Sequence, residues 1–426
     1  MTLQGVVAKS YQAFTQYGKD ASIILLHPRS RYRSVLVASL LSAPDIRTLY
    51  YAMGPDDTSV PAFLSGLLTT ISAEHPTFGR NLNLTDWTDS QGQPSDHLLN
   101  ALARDLSEWT TEPYLLILDE FDRSDSADDI QQFIEQLAGV MPPHGKIVLN
   151  SRTLPRLPWI SLIARNQAII LEDDRLITSD FYDHRKNPEG PQLDVTALGP
   201  GYVSLNGQLV TAWEGHLPRL LFFFVLDRPT VTRSEICQAF WPNLEIEQAV
   251  NVFHVTKRRL HKALGEDILV HNDGYYRVNP DLMVTYDVID FVGALVKGRT
   301  AEGADKVQYW QEAIDMYRGP FLQGHDDAWI ISRRADFLSG YMEAITEMAN
   351  VRYQKGATEH ALRLYLRALN EDFTREDLHR RVMQLFAEMG RRSEAAAHFQ
   401  KVEREFAALN RQLDEETRAV YEQIMS

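Results

Sequence analysis

The chain has 426 residues, enough for two to four domains, and its 44% hydrophobic content excludes a wholly disordered polypeptide. A formal net charge of −15 excludes general affinity for polyanions, so any contact with nucleic acid has to come from a local basic face. The single cysteine, Cys237, excludes an intrachain disulfide; it falls in a capped helix, where core packing is expected. No apolar run is long enough to span a bilayer, and MTLQGVVAKSYQAF lacks the apolar core of a signal peptide, so a cytoplasmic protein without a membrane partner is expected.

Residues 1–180 alternate strand and helix signals. ASIILLH, IRTLYYAMG, YLLIL, KIVLNSR and AIILED read as strands, and DHLLNALARDLSEW and ADDIQQFIEQLAGV read as helices between them. That alternation predicts an α/β domain with a parallel sheet. From Asp173 the chain turns charged and then rich in Pro and Gly, which predicts a loosely packed linker over 181–194. Residues 195–287 open with short strands around YVSLNGQLV and an Asn-Gly turn. A helix with Pro218 near its start follows, and then a helix opened by a capping box of Thr232 and Glu235. Residues 288–426 carry helical periodicity interrupted at GPFLQG, QKGATE and EMGRRSE, which predicts an all-α domain of stacked helix hairpins, with Trp310 and Trp329 filling its core.

The stretch from Asn251 to Gly265, NVFHVTKRRLHKALG, holds four Lys/Arg and no acidic residue. On a helical wheel Phe253, Leu260 and Leu264 share an inward face, while His254, Lys257, Arg258 and His261 share another. The second face can offer donors to phosphates and base edges. The hairpin signal Asn272-Asp273-Gly274 comes next, and Tyr276 and Arg277 on it are placed to reach a DNA backbone or minor groove. Charge alone equally fits a solvated helix face, because residues 201–285 hold eight Lys/Arg against nine Asp/Glu. The order of strands, helix, capped helix, basic helix and hairpin favours DNA. The predicted contact set is Asn251, His254, Lys257, Arg258, Arg259, His261, Lys262, Tyr276 and Arg277.

FWP followed by AVNVFHVTKRRLHKALG resembles the OmpR-type winged helix of the SARP family of bacterial activators, through Trp241, Pro242, Asn251, Val255, Arg259, Leu260, Ala263, Leu264 and Gly265. RGPFLQGHDDAWIISRRADF and the helices after it resemble that family's tetratricopeptide-like bacterial transcriptional activator domain. The resemblance implies a transcription regulator, expected to be an activator, that meets promoter DNA and RNA polymerase, commonly as a homodimer.

LLILDEFDRSD resembles a Walker B strand of P-loop NTPases, and the strand ending in NSR resembles the sensor strand of STAND-class signalling ATPases. The matching positions are Asp119, Glu120 and Arg152. The same residues also fit a strand that merely runs into a polar loop. A phosphate loop needs G-x-x-x-x-G-K-[ST], and this chain has HPRSRYRS from His27 to Ser34: both glycines and the lysine are replaced and only Ser34 is kept. Loss of ordinary hydrolysis is therefore expected, with no catalytic residue. Arg29, Arg31 and Arg33, near a helix start, leave several readings open: a grip on a nucleotide or nucleotide second messenger, salt bridges to Asp119 and Glu120 that lock a dead site, or contact with a DNA backbone. The SARP family usually carries an ATPase, when it has one, after the activator domain; here the ATPase-like segment comes first. No spacing of His or Cys suggests a metal site. The reading is thus a multidomain regulator: a degenerate P-loop NTPase-like α/β domain, a winged-helix domain and an all-α TPR-like domain. The alternatives are a nucleotide hydrolase with an atypical phosphate loop and a protein-interaction adaptor.

Overall fold

The computed structural model describes residues 3–82, 96–182 and 187–426. The chain forms two compact units, one of residues 1–293 with 319–337 and one of 294–318 with 338–426.

The first unit begins with α1 (Leu3–Tyr17), β1 (Ile23–Leu26), α2 (Arg33–Leu41), β2 (Arg47–Ala52), α3 (Val60–Glu74), α4 (Asp96–Trp109), β3 (Tyr114–Asp119) and a 3-10 turn at Phe121–Ser124. It continues through α5 (Asp128–Val140), β4 (Gly145–Asn150), α6 (Trp159–Ala164), β5 (Ala168–Glu172) and β6 (Arg175–Leu176). The sheet order is β2-β3-β4-β1-β5-β6. β1 to β5 pair in parallel, and β6 turns back antiparallel on β5. Parallel strands covered on both faces read as unbroken apolar runs, and the four residues of β1 are all buried. Ile24 and Leu26 pack with Leu36 and Leu40 of α2 and Phe14 of α1. By strand alternation Ile23 and Leu25 face the other side, and α3 meets α5 through the edge-to-face pair Phe63 and Phe133.

The unit then runs through β7 (Gln192–Thr196), β8 (Tyr202–Leu205), β9 (Gln208–Leu209), α7 (Leu217–Leu226), β10 (Val231–Thr232), α8 (Arg233–Phe240) and α9 (Ile246–Leu264). A hairpin of β11 (Leu269–Asn272) and β12 (Tyr275–Val278) leads to β13 (Met283–Tyr286) and α10 (Asp287–Thr300). Both tight turns hold two successive residues at positive φ, Asn206-Gly207 and Asp273-Gly274, as a two-residue hairpin loop requires. The capping box of α8 is complete: the Glu235 N–H donates to the Thr232 hydroxyl, and the Thr232 N–H donates to the Glu235 carboxylate.

Two expectations are corrected. The linker predicted over 181–194 ends in a strand, because β7 starts at Gln192 and pairs with β8 on one side and β13 on the other; residues 183–186 of that stretch lie outside the described residues. The basic helix starts at Ile246, ahead of the predicted Asn251, and buries Ala249 at a core position one turn before Phe253.

The helical C-terminal region adds α11 (Gly303–Met316), α12 (Ala328–Gln354), α13 (Thr358–Glu371), α14 (Glu376–Glu388), α15 (Arg392–Ala408) and α16 (Glu415–Met425). In the second unit α14 packs against α13, α15 and α16. Trp310 fills this unit's core, but Trp329 belongs to the first unit, half-buried against Phe224 and Phe240. Helical periodicity placed Trp329 on an apolar face without saying which core the face meets. No helix among the described residues is long and apolar enough to cross a membrane.

Candidate nucleic-acid interface

Helix α9 is amphipathic with a clean division. Ala249, Phe253, Thr256, Leu260 and Leu264 are buried at helical spacing, and α7 and α8 pack against the helix. Asn251, His254, Val255, Arg258, Arg259 and Lys262 are exposed. The helix stops at Gly265, which takes the left-handed conformation (φ 69°) and donates its N–H to the His261 carbonyl.

Two members of the predicted contact face turn away from it. Lys257 is half-buried, with its ammonium 5.3 Å from the centre of the Tyr276 ring, and burial lowers its pKa. The His261 Nε2 accepts the Leu269 N–H at 3.3 Å, so Nδ1 carries the proton and donates to Asp267 at 3.0 Å. Burial, with Lys257 nearby, holds this imidazole below its ordinary pKa. His261 therefore fastens the helix to the hairpin. Tyr276 is also displaced from the predicted set: it is 5% exposed and packs edge-on against Phe253, with ring centres 5.0 Å apart. Strand alternation sends Tyr276 inward and leaves its neighbour Arg277 exposed. Arg259 and Lys262 share the carboxylate of exposed Glu214, at 3.5 Å and 2.5 Å. Such surface pairs are weak and screened by salt, so they yield readily to a phosphate.

The loop after β1 is closed on itself. The Arg29 N–H donates to the His27 Nδ1 (3.1 Å), the Ser30 N–H to the His27 carbonyl (2.8 Å) and the Arg31 N–H to Asp173 Oδ1 (3.1 Å). The Ser30 hydroxyl donates to the Leu171 carbonyl and accepts the Asp173 N–H, tying the loop to the end of β5. Arg33 turns back, and its Nη1 donates to the carbonyls of Pro28 and Ser30 at 2.9 and 3.1 Å. The N–H groups of Arg29, Ser30 and Arg31 are thus occupied. Arg31 and Ser34 are exposed, and the space beside Ser30, Tyr32 and Arg33 is only about 10 Å³.

The predicted partners of this loop lie elsewhere. Asp119 accepts from the Tyr50 hydroxyl (2.8 Å) and from Asn150 Nδ2 (2.7 Å). Burial, reinforced by Asp119, pushes the Tyr50 phenol up to about 12. Glu120 sits at φ 49° and pairs with Arg123. Arg152 pairs with Asp122 at 2.8 Å, and Arg29 approaches Glu172 at 3.7 Å. The expected lock between the loop arginines and Asp119 or Glu120 is not formed, because Arg123 and Tyr50 are local partners within a shorter reach. Arg29 and Arg152 instead face a cavity of about 460 Å³ that also meets Tyr275 and Arg277 of the β11–β12 hairpin.

Sequence reasoning missed what joins the sheet domain to the helix–hairpin segment inside the first unit. Arg156, 2% exposed at its side chain, binds Asp128 (2.7 Å) and Glu235 (2.5 Å) and donates to the Asp125 carbonyl. Asp128 also accepts from the Thr232 hydroxyl, so the capping box of α8 is part of the joint. Arg228 bridges Glu235 and Glu135, Arg333 bridges Glu135 and Asp227, and the Tyr275 hydroxyl donates to the Asp125 carbonyl at 2.9 Å. Burial of so many charges is tolerated because each has a partner. These residues are scattered from 125 to 333, so no spacing in the sequence announces them.

Residues 287–425 match the profile of the bacterial transcriptional activator domain. Among solved structures, Mycobacterium tuberculosis EmbR in complex with a low affinity phosphopeptide aligns at 19% identity and a TM-score of 0.45, over 55% of this chain and 65% of that one. A Pyrococcus horikoshii STAND protein with a tetratricopeptide repeat sensor aligns at 11% identity and a TM-score of 0.27, over 97% of this chain and 66% of that one. This chain thus spans just under two thirds of either structure's length. No curated protein sequence matches it. The chain carries, at residues 287–425, a bacterial transcriptional activator domain.

Proposed function

We propose that this chain is a sequence-specific DNA-binding transcription regulator, an activator of the SARP type. Residues 195–287 act as a winged helix, α9 is its recognition helix and the β11–β12 hairpin is its wing. The observation that carries the reading is the exposed stripe Asn251, His254, Arg258, Arg259 and Lys262, free of acidic residues on a chain of net charge −15. Arg258 and Arg259 suit phosphates and guanine edges, Asn251 suits adenine, and exposed Val255, absent from the predicted contact set, suits a thymine methyl. The activator domain supports promoter DNA and RNA polymerase as partners, with the homodimer implied by the SARP resemblance. The α/β domain serves as a sensor or scaffold, an NTPase-like fold without effective hydrolysis. Support for that role comes from the occupied N–H groups of Arg29, Ser30 and Arg31 after β1 and from Arg33 folded over that loop.

Selection from a random DNA pool tests the reading. Enrichment of one motif by the wild-type chain, lost on combined substitution Arg258→Ala and Arg259→Ala, is expected. Failure to enrich any sequence would favour the adaptor reading, and phosphate release from ATP or GTP that needs Asp119 or Glu120 would favour the hydrolase.

A further inference from the structure

The cavity beside the wing is built differently from a phosphate loop. Four arginines line it: Arg156, whose guanidinium is held by Asp128 and Glu235, and three from separated stretches, Arg29 after β1, Arg152 after β4 and Arg277 on β12. It lies outside the carboxyl ends of adjacent parallel strands, where α/β sheets hold their ligands. Its volume, about 460 Å³, is that of a small-molecule site. Arg29 is half-exposed and only loosely paired, at 3.7 Å from Glu172, while Arg152 shares one carboxylate, Asp122. No ion pair holds Arg277 among the described residues. Asp180 and Asp273 on the walls are exposed to solvent. Asp125 faces the Thr153 hydroxyl at 2.7 Å, and burial pushes its carboxyl up, which weakens its opposition to an anion.

We propose that this cavity binds a small phosphorylated ligand through Arg29, Arg152 and Arg277, and that its occupation is linked to DNA binding because the wing is one of its walls. Converging guanidiniums repel one another until an anion sits among them, and their planar forks suit phosphoryl oxygens. The ligand's donors are side chains: of the loop residues on the cavity, Pro28 has no N–H and that of Arg29 is taken by His27. A ligand bridging Arg277 to Arg29 ties the wing to the α/β domain, adding to the bond from Tyr275 to Asp125, and withdraws it from a minor groove. The linkage half of the proposal rests on the winged-helix reading; the ligand half does not.

The test titrates the full chain with inorganic pyrophosphate and with ADP by calorimetry. Saturable binding is expected, weakened at least roughly tenfold in Arg29→Ala and in Arg277→Ala, each with an unchanged thermal melt. Arg29→Lys, which keeps the charge and loses the fork, is expected to fall between. Tighter binding of ADP than of pyrophosphate places the nucleoside in the cavity; equal binding places recognition on the phosphates. Absence of saturation, or wild-type affinity in both alanine variants, overturns the site. Saturating pyrophosphate is then expected to weaken DNA binding roughly 5- to 150-fold. Unchanged or tighter DNA binding overturns the linkage, and failure of the ligand-free chain to bind any DNA overturns the winged-helix reading while leaving the calorimetry to stand.

Discussion

Helix α9 and the loop after β1 carry similar runs of basic residues, TKRRLHK and PRSRYR, and the fold uses them in opposite ways. On α9 the helical period sends apolar residues inward at fixed spacing, so Arg258, Arg259 and Lys262 stand in solvent with weak competitors. In the loop there is no period to separate faces. Arg33 turns back onto the carbonyls of Pro28 and Ser30, half-exposed Arg29 leans toward Glu172, and Arg31 stays in solvent. Basic residues become a ligand surface where regular structure keeps their donors unoccupied; in an irregular loop they first satisfy the backbone around them.

The contrast can be broken at the joint between the two regions. Arg156→Ala strips half-buried Asp128 of its cation and leaves Glu235 with Arg228 alone, and is expected to cost about 3 kcal/mol of stability. Thermal and urea unfolding of the purified chain measure it, and a change under 1 kcal/mol would show the network to be incidental.

The second unit offers a pH-dependent counterpart. The His379 Nε2 donates to the Phe373 carbonyl, so its Nδ1 accepts from His398 Nε2 at 2.9 Å and both rings are neutral. Burial and His379 hold His398 down at about 4, and burial lowers His379 as well. A depressed histidine contributes stability that is complete above the unfolded value of 6.5 and is lost as pH falls toward the folded value. The unit is expected to lose about 2 kcal/mol or more between pH 7 and pH 4 through this pair. Hydrogen exchange in α14 and α15 should report it, and His398→Gln should flatten the profile.

Smaller effects sharpen the contrast itself. Arg33→Ala removes two hydrogen bonds to loop carbonyls and is expected to cost about 1–2 kcal/mol of stability with DNA affinity unchanged. Gly265→Ala meets no side chain in its path, so only the strain at φ 69° counts, about 1 kcal/mol in the same unfolding measurement.

The five parallel strands, the capping box and the helical C-terminus were legible in the sequence because each depends on local period or local chemistry. The inward face of α9 was legible for the same reason. The roles of Lys257, His261 and Tyr276 were not, since a wheel shows which residues share a face but not that the hairpin folds back to cover part of it. The loop stands between β1 and α2, as the strand and helix signals place it, but Arg31 and Ser30 are tied to Asp173 and Leu171, more than a hundred residues away, which no local pattern announces. The cavity between Arg29, Arg152 and Arg277 was invisible for want of any local signal.

The most direct test of the central claim is DNA affinity measured against salt concentration for the wild-type chain and Arg258→Ala. Binding through the exposed face of α9 predicts a steep loss of affinity with salt in the wild type. The variant is predicted to bind about 1–3 kcal/mol more weakly and, if Arg258 lies on a phosphate, with a salt slope shallower by about one. Equal affinity and equal slope in the two proteins would contradict it.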